Sequence, residues 1–158
     1  MSSWGVGTFD DDIACDWLED LFESDPVAFL WHCLDLSGHE YLEHLACVGV
    51  VCSAEIVLGL CAEPRPDLPD AVYAWLNRHG SVSGEVFLPA TLSGLRRVVG
   101  PNSEMRERWE DHADWRDNWK SAMSDLERRL VECWKQSQSG GALRGQIGDD
   151  QSGPEGDR

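Results

Sequence analysis

The stretch LACVGVVCSAEIVLGLC, residues 45–61, decides the fold, because it is apolar throughout except for Ser53 and Glu55. A membrane-spanning helix needs about 20 predominantly apolar residues. This run is shorter, contains a carboxylate and is flanked by charged residues at both ends. We therefore predict that it forms the central core of a helical bundle, within a helix that runs from about His39 to Cys61.

Two amphipathic helices are predicted before this core helix. The first spans about residues 11–23, and its apolar positions fall on one face: Ile13, Ala14, Trp17, Leu18 and Leu21. Ser24-Asp25-Pro26 is typical of a helix start, because a capping side chain precedes a proline. The second helix then spans about residues 26–36, with these side chains predicted to point inward: Val27, Leu30, Trp31 and Leu34.

Three more helices are predicted after the core helix, over about residues 70–78, 90–99 and 102–135. The last is either one long helix or two helices with a kink near Ala113. Residues 82–88 are a candidate for a short extended piece. The tryptophans of the last helix recur at helical spacing, which favours a core role over an aromatic binding platform: Trp109, Trp115, Trp119 and Trp134.

These segments predict an all-α fold, a single compact bundle of about six helices over residues 1–135. From Gln136 onward the chain is mostly Gly, Ser, Gln and Asp, so residues 136–158 are predicted to be a disordered tail. The 8 Trp residues supply enough apolar surface for a core without metal or disulfide. We expect no cofactor.

The charge of the chain is unevenly distributed. Residues 1–64 contain 13 Asp and Glu and no Lys or Arg, whereas residues 65–135 contain 12 acidic and 11 basic residues. The formal net charge of −16 therefore belongs mostly to the N-terminal half. Because phosphate groups are bound by clustered Lys and Arg, this balance argues against nucleic acid and against anionic membrane surfaces as partners.

The 6 cysteines lie among apolar residues and show neither a C-x-x-C pair nor zinc-finger spacing. We interpret them as reduced core thiols, since a free cysteine packs as a small hydrophobe. Residues 1–12 lack the basic and apolar regions of a secretory signal. We therefore expect a cytoplasmic protein.

The chain opens with WGVGTFDDD, residues 4–12, followed by ACDWL, residues 14–18. This opening resembles the W-G-x-G-P-F-D-N-D and A-x-D-W-L pattern of a bacterial family catalogued as domain of unknown function 4259. Thr8 stands here in place of the proline and Asp11 in place of the asparagine. A looser similarity continues to about residue 135. The resemblance implies a small helical bacterial domain, and it implies no activity and no catalytic residues.

Three consecutive carboxylates, Asp10, Asp11 and Asp12, end that motif. They lack the D-x-D-x-D-G spacing of a calcium-binding loop. We interpret them as the cap and first-turn carboxylates of the first helix, where they suit the helix dipole. Trp4 and Phe9 either anchor the opening segment on the core or mark a functional loop.

Glu55 is the most unusual single residue, because a carboxylate on an apolar helix is unfavourable unless it is paired, hydrogen-bonded or neutral. One interpretation is a proton-transfer or ligand-binding carboxylate. The other is a structural partner for a backbone group, a Trp N–H or an arginine such as Arg96 or Arg97.

A second cluster of chemically active side chains lies at the predicted start of the core helix. His39 and Glu43, like Glu40 and His44, are spaced i, i+4 and would share a helix face. Such pairs could bind a divalent transition metal. The order matches no zinc-protease motif, and no recognisable nucleophile frame exists elsewhere. The alternative is a solvated helix start.

Two functional hypotheses follow. The first is a non-enzymatic interaction protein, for example an immunity or antitoxin-like protein, that docks a basic protein through its acidic N-terminal half. The residues expected to contact the partner are Trp4, Phe9, Asp10, Asp11, Asp12, Asp16, Asp20 and Glu23. The second is a small metal-dependent hydrolase or ligand-binding protein that uses Glu55 and the His39–His44 cluster. An acidic surface that only confers solubility remains a third interpretation.

Overall fold

The structure is a computed structural model that describes residue 9 and residues 12–150, with side chains as far as residue 140. Among these residues it contains helices and no strand, so the predicted all-α fold is confirmed. The α-helices are α1 (Asp12–Phe22), α2 (Pro26–Asp35), α3 (His44–Cys61), α4 (Asp70–Arg78), α5 (Leu88–Val99), α6 (Glu104–Glu110) and α7 (Ala113–Asp150). Short 3₁₀ turns lie at Leu36–Gly38 and Glu85–Phe87.

Helix α3 is the core of the bundle, as predicted. Every residue from Cys47 to Leu58 is buried, and each of the other six α-helices contacts α3. By length and composition alone α3 could cross a membrane, yet 67% of it is buried inside the bundle. That burial is typical of the core helix of a soluble protein.

The start of α3 differs from the prediction. The helix begins at His44, and residues 39–43 precede it as non-helical chain. Leu42 explains this, because its N–H donates to the Asn102 carbonyl at 2.8 Å and its carbonyl accepts from the Glu104 N–H at 2.9 Å. Those two bonds hold the segment in an isolated bridge to Ser103, so the backbone of residues 39–43 is not available for helix.

Helix α2 buries a different face from the one predicted. Its buried residues are Leu30, Cys33 and Leu34, whereas Val27 is 41% exposed and Trp31 is 37% exposed. The prediction of an inward Val27 and Trp31 is therefore wrong. The helix is apolar around most of its circumference, so periodicity alone does not identify the buried stripe.

The last predicted helix is two helices, α6 and α7, separated at Asp111 and His112. Of its tryptophans, Trp109 and Trp119 are buried and Trp134 is partly buried against the core, as predicted. Trp115 is 40% exposed, because it lies in the first turn of α7, just after the break between the two helices.

Helix α7 extends beyond its predicted end near Lys135 and remains helical to Asp150. Trp134 is the last described side chain that packs against the core. Beyond it the helix continues by adding one backbone hydrogen bond per residue to an existing helix. The division into a domain of residues 1–135 and a disordered tail of residues 136–158 remains a prediction, although residues 136–150 have helical backbone. Residues 151–158 lie outside the described part of the chain.

The predicted extended piece at residues 82–88 is also not a strand. It contains the 3₁₀ turn Glu85–Phe87, which leads directly into α5. Phe87 is fully buried, and its carbonyl accepts a hydrogen bond from the Thr91 hydroxyl at 2.6 Å. The segment is therefore a tight helical entry that anchors α5 on the core.

Candidate functional site

The solvent face of α1 carries the charge that the sequence concentrates in the N-terminal half. The buried face of the helix consists of Ala14, Trp17, Leu18 and Leu21. The opposite face is exposed and carries only carboxylates as charged groups: Asp12, Asp16, Glu19, Asp20 and Glu23 just after the helix end. We call these five residues the acidic face. The amphipathic split predicted for this helix is thereby confirmed.

No cation compensates the acidic face within the described residues. Every ion pair there joins residues at or beyond position 55. The first basic residue of the chain after these carboxylates is Arg65, which pairs with Glu55 and Asp67. Because uncompensated surface charges produce a field that reaches about one Debye length, or ~8 Å at physiological salt, the acidic face attracts cationic groups.

Asp12 lies in the first turn of α1 and suits the helix dipole, but the rest of this charge arrangement does not favour the helix. Asp12, Asp16 and Asp20 repeat at i, i+4, and like charges at that spacing destabilise a helix by about 0.2–0.5 kcal/mol per pair. Glu19 and Asp20 lie in the last turn, where the helix dipole favours cations, and that turn contains no basic residue. The acidic face therefore lowers local stability, which solubility alone does not require.

Of the predicted contact residues in the opening motif, the structure describes Phe9 and Asp12, whereas Trp4, Asp10 and Asp11 lie outside the described residues. Phe9 is 5% exposed and belongs to the core, and its carbonyl accepts a hydrogen bond from the Cys15 thiol at 3.3 Å. Phe9 therefore packs on the core, as one of its two predicted roles requires. Its contact with a partner remains a prediction.

Glu55 is sealed inside the bundle, at 2% exposure, and paired with two arginines. Arg65 Nη1 donates to Oε2 at 3.0 Å, and Arg129 Nη1 donates to Oε1 at 3.2 Å. Glu55 therefore has the structural role that was one of its two interpretations, because its carboxylate is paired with arginine. The suggested partners Arg96 and Arg97 are wrong: Arg96 pairs with Glu127, and Arg97 donates to the carbonyls of Ser37 and Glu40.

Arg65 connects Glu55 to the loop before α4. Burial opposes the charge on Arg65, but Glu55 and Asp67 overcome this and raise its pKa. The Arg65 carbonyl accepts a hydrogen bond from the Tyr73 hydroxyl, which also accepts from the Leu68 N–H at 3.1 Å. Glu55 therefore fixes the α3–α4 loop on one side and α7 on the other.

The candidate metal ligands do not share a helix face, since α3 begins at His44. His39 and Glu43 are exposed in the segment before the helix, and Glu43 occupies its N-cap position. The His44 N–H donates to Glu104 Oε1 at 2.9 Å, and this bond lowers the pKa of Glu104. Among the described residues no group of three His, Cys, Asp or Glu side chains could hold a metal ion.

Two surface clefts have linings that exclude these residues. The first, about 310 Å³, lies between α6 and α7 and is lined by Val99, Arg106, Glu110, Trp119, Lys120, Met123, Ser124 and Glu127. The second, about 330 Å³, lies on α5 and is lined by Pro89, Leu92, Ser93, Arg96 and Arg97. Glu55, His39 and His44 line neither cleft, so the proposed hydrolase residues do not converge on either one.

None of the six cysteines forms a disulfide, as predicted, but Cys15 is exposed, so the predicted core position is wrong for that residue. Burial raises the pKa of Cys33 and of Cys47. Burial and the neighbouring Cys133 raise the pKa of Cys61 to about 12. These thiols are therefore protonated at neutral pH and poorly nucleophilic.

The chain belongs to the family described as Domain of unknown function (DUF4259), whose model matches residues 2–122. The resemblance drawn from the opening motif is therefore confirmed. Searches of the curated proteins and of the solved structures each gave no match. The family assigns no activity, so the function must be argued from the surface of the molecule.

Proposed function

We propose that this protein is a non-enzymatic, cytoplasmic interaction module that docks a basic protein through the acidic face of α1. The observation that carries the proposal is the absence of any cation partner for these five carboxylates among the described residues, on a helix that they destabilise. A basic partner would supply the missing cations and would be steered to the surface by the field. An immunity or antitoxin-like protein that masks a cationic toxin is one concrete form of such a module.

The competing hydrolase hypothesis has less support. It requires Glu55 to reach a cavity that polar groups share, whereas Glu55 is sealed and held by Arg65 and Arg129. It also requires a convergent histidine cluster, whereas His39 lies in the segment before α3 and His44 begins the helix. The interaction hypothesis needs neither condition.

The experiment that tests the proposal is capture from the native host lysate at physiological salt, read by mass spectrometry. The test variant combines Asp16→Lys, Asp20→Lys and Glu23→Lys on the acidic face. The matched control combines Glu63→Lys, Asp111→Lys and Asp117→Lys, three exposed carboxylates elsewhere that also lack an ion pair among the described residues. Both variants change the net charge by the same amount. A difference in capture between them therefore depends on where the charges lie and not on the total charge.

We expect a basic protein to be captured by the natural chain and by the control variant, and to be lost with the acidic-face variant. Raising the salt concentration should weaken the capture, since exposed charges are screened. Identical capture by the natural chain and the acidic-face variant would overturn the proposal. Equal loss with both variants would also overturn it, because total charge and not the acidic face would then govern association.

A further inference from the structure

Exposed apolar side chains lie on the edge of α2 that faces away from α1 and in the 3₁₀ turn Glu85–Phe87, which Trp31 of α2 contacts. Val27 and Trp31 are 41% and 37% exposed and lie one helical turn apart. The Trp31 ring contacts the buried Phe87 ring, with centroids 4.8 Å apart. Val86, adjacent to Phe87 in the 3₁₀ turn, is 57% exposed. We call Val27, Trp31 and Val86 the apolar patch.

The contacts of α2 locate this patch relative to the acidic face. On one side of α2, Phe29 contacts Trp17 of α1 with ring centroids 5.3 Å apart. On the other side, Trp31 contacts Phe87. Adjacent helices pack about 8–10 Å apart, so the apolar patch lies about one helix away from α1.

The patch also has an acidic rim of its own. Asp35 lies one turn beyond Trp31 on α2, and Glu85 adjoins Val86; both are exposed and neither has an ion pair within the described part of the chain. An apolar patch flanked by two carboxylates without an ion pair complements a partner in which apolar side chains are flanked by Lys and Arg. Trp is also enriched among the residues that dominate binding energy.

We infer that the apolar patch is the anchor point for a basic amphipathic helix of the partner protein. Val27 and Trp31 form a ridge with i, i+4 spacing, and a helix laid along it presents apolar side chains at the same spacing. The inference rests on the proposed function, because it places the same basic partner across α1 and α2. The inference adds that burial of apolar side chains and attraction between opposite charges together hold the partner.

The probe for this inference is a synthetic peptide of about 18 residues, in which Leu recurs every three to four positions and Lys fills the remainder. A second peptide of the same composition distributes the Leu evenly around the helix. The test variant is Val27→Ser with Val86→Ser, which leaves the Trp31–Phe87 contact in place. The control is Leu45→Ser, because Leu45 is 69% exposed on α3, outside the patch.

We expect the amphipathic peptide to bind the full chain at least about tenfold more tightly than the second peptide in calorimetric titration. The double variant should lose about tenfold in affinity for the amphipathic peptide, and Leu45→Ser should change it by less than about twofold. Circular dichroism verifies that each variant remains folded.

Three results would overturn the inference: equal affinity for the two peptides, no binding of either, or unchanged affinity of the double variant. The first and third leave the proposed function standing if the Asp16, Asp20 and Glu23 variant still loses binding. If that variant also retains full affinity, the proposed function fails as well. The two failures are therefore distinguishable.

Discussion

Arg129 of α7 donates to the carboxylate of Glu55 in α3 at 3.2 Å, a contact between residues separated by 74 positions in sequence. Arg65 reaches the other oxygen of the same carboxylate at 3.0 Å. The three side chains connect the core helix, the last helix and the α3–α4 loop through one buried negative charge. The role of Glu55 is therefore best tested by measuring the free energy of unfolding.

Replacement of Glu55 by Gln should lower the free energy of unfolding by about 2–4 kcal/mol, because it leaves two arginines without their buried counter-charge. The expected loss is below the largest values for buried pairs, since Arg65 and Arg129 are 32% and 20% exposed and can regain water. Urea denaturation measures the change. The control is Glu127→Gln, which breaks the exposed pair with Arg96 and should cost about 0–1 kcal/mol. Equal losses would contradict a buried structural role.

Reversal of one charge on α1 should stabilise the protein. Asp16 lies at i, i+4 from both Asp12 and Asp20, so Asp16→Lys replaces two repulsions with two attractions. We expect a gain of roughly 0.5–1 kcal/mol in the free energy of unfolding, measured by urea denaturation at low salt. A loss of similar size would show that the carboxylate serves the stability of α1, and it would weaken the argument that these charges are retained for binding.

The Tyr41 phenol should titrate unusually late. Its hydrogen bond to Glu107, at 2.9 Å, raises the pKa of Tyr41 to about 12 from the usual 10. Because the folded pKa is raised, the stabilising contribution of this bond is present below pH ~10 and is lost as the pH rises toward about 12. Phenolate absorbance, taken as a difference from Tyr41→Phe, measures the titration. Glu107→Gln should return it toward 10; an unchanged titration would refute the assignment.

Gly84 should not accept a side chain. A Cβ there would lie 2.8 Å from the Leu60 Cβ and 3.0 Å from the Val57 carbonyl oxygen, which belongs to the backbone of α3. Gly84→Ala should therefore destabilise the protein by about 1–3 kcal/mol in thermal or urea unfolding. Gly38→Ala is the matched control, because nothing lies within 4 Å of its Cβ position. If neither variant changed the stability of the protein, the result would contradict the close packing of this loop on α3.

Thiol labelling should distinguish Cys15 from the other five cysteines. Cys15 is exposed, whereas burial protects the others or, for Cys61, raises the pKa to about 12. An aromatic disulfide reagent should react rapidly with one thiol in the native protein and with all six after denaturation. Cys15→Ser should remove the rapid reaction. Rapid labelling of several thiols in that variant would contradict the burial of the other cysteines.

The sequence predicts most helices because their signals are local. The α4 bounds, Asp70–Arg78, agree with the prediction, since a proline precedes the helix and a glycine follows it closely. Similarly, α1 alternates carboxylates with apolar residues so regularly that its buried face is unambiguous. Such patterns lie within one or two helical turns and do not depend on the rest of the chain.

The features that the sequence does not reveal depend on distant contacts. Leu42 is held by the chain around Ser103, and this contact delays the start of α3 to His44. Glu55 is paired with Arg129, a residue that no local spacing identifies. Helix α2 is apolar around most of its circumference, so its sequence does not show which side faces α3. The exposure of Trp31 is therefore seen only in the folded bundle.

The central claim, that a partner covers the acidic face of α1, is tested most directly by carbodiimide labelling of exposed carboxylates. The purified chain is labelled in buffer and in native host lysate, and the modified positions are quantified by mass spectrometry. Glu63, Asp111 and Asp117 serve as internal references, since they are exposed and lie outside α1. We predict that labelling of Asp16, Asp20 and Glu23 falls in the lysate while the references remain unchanged. Equal labelling of all six carboxylates under both conditions would contradict the account.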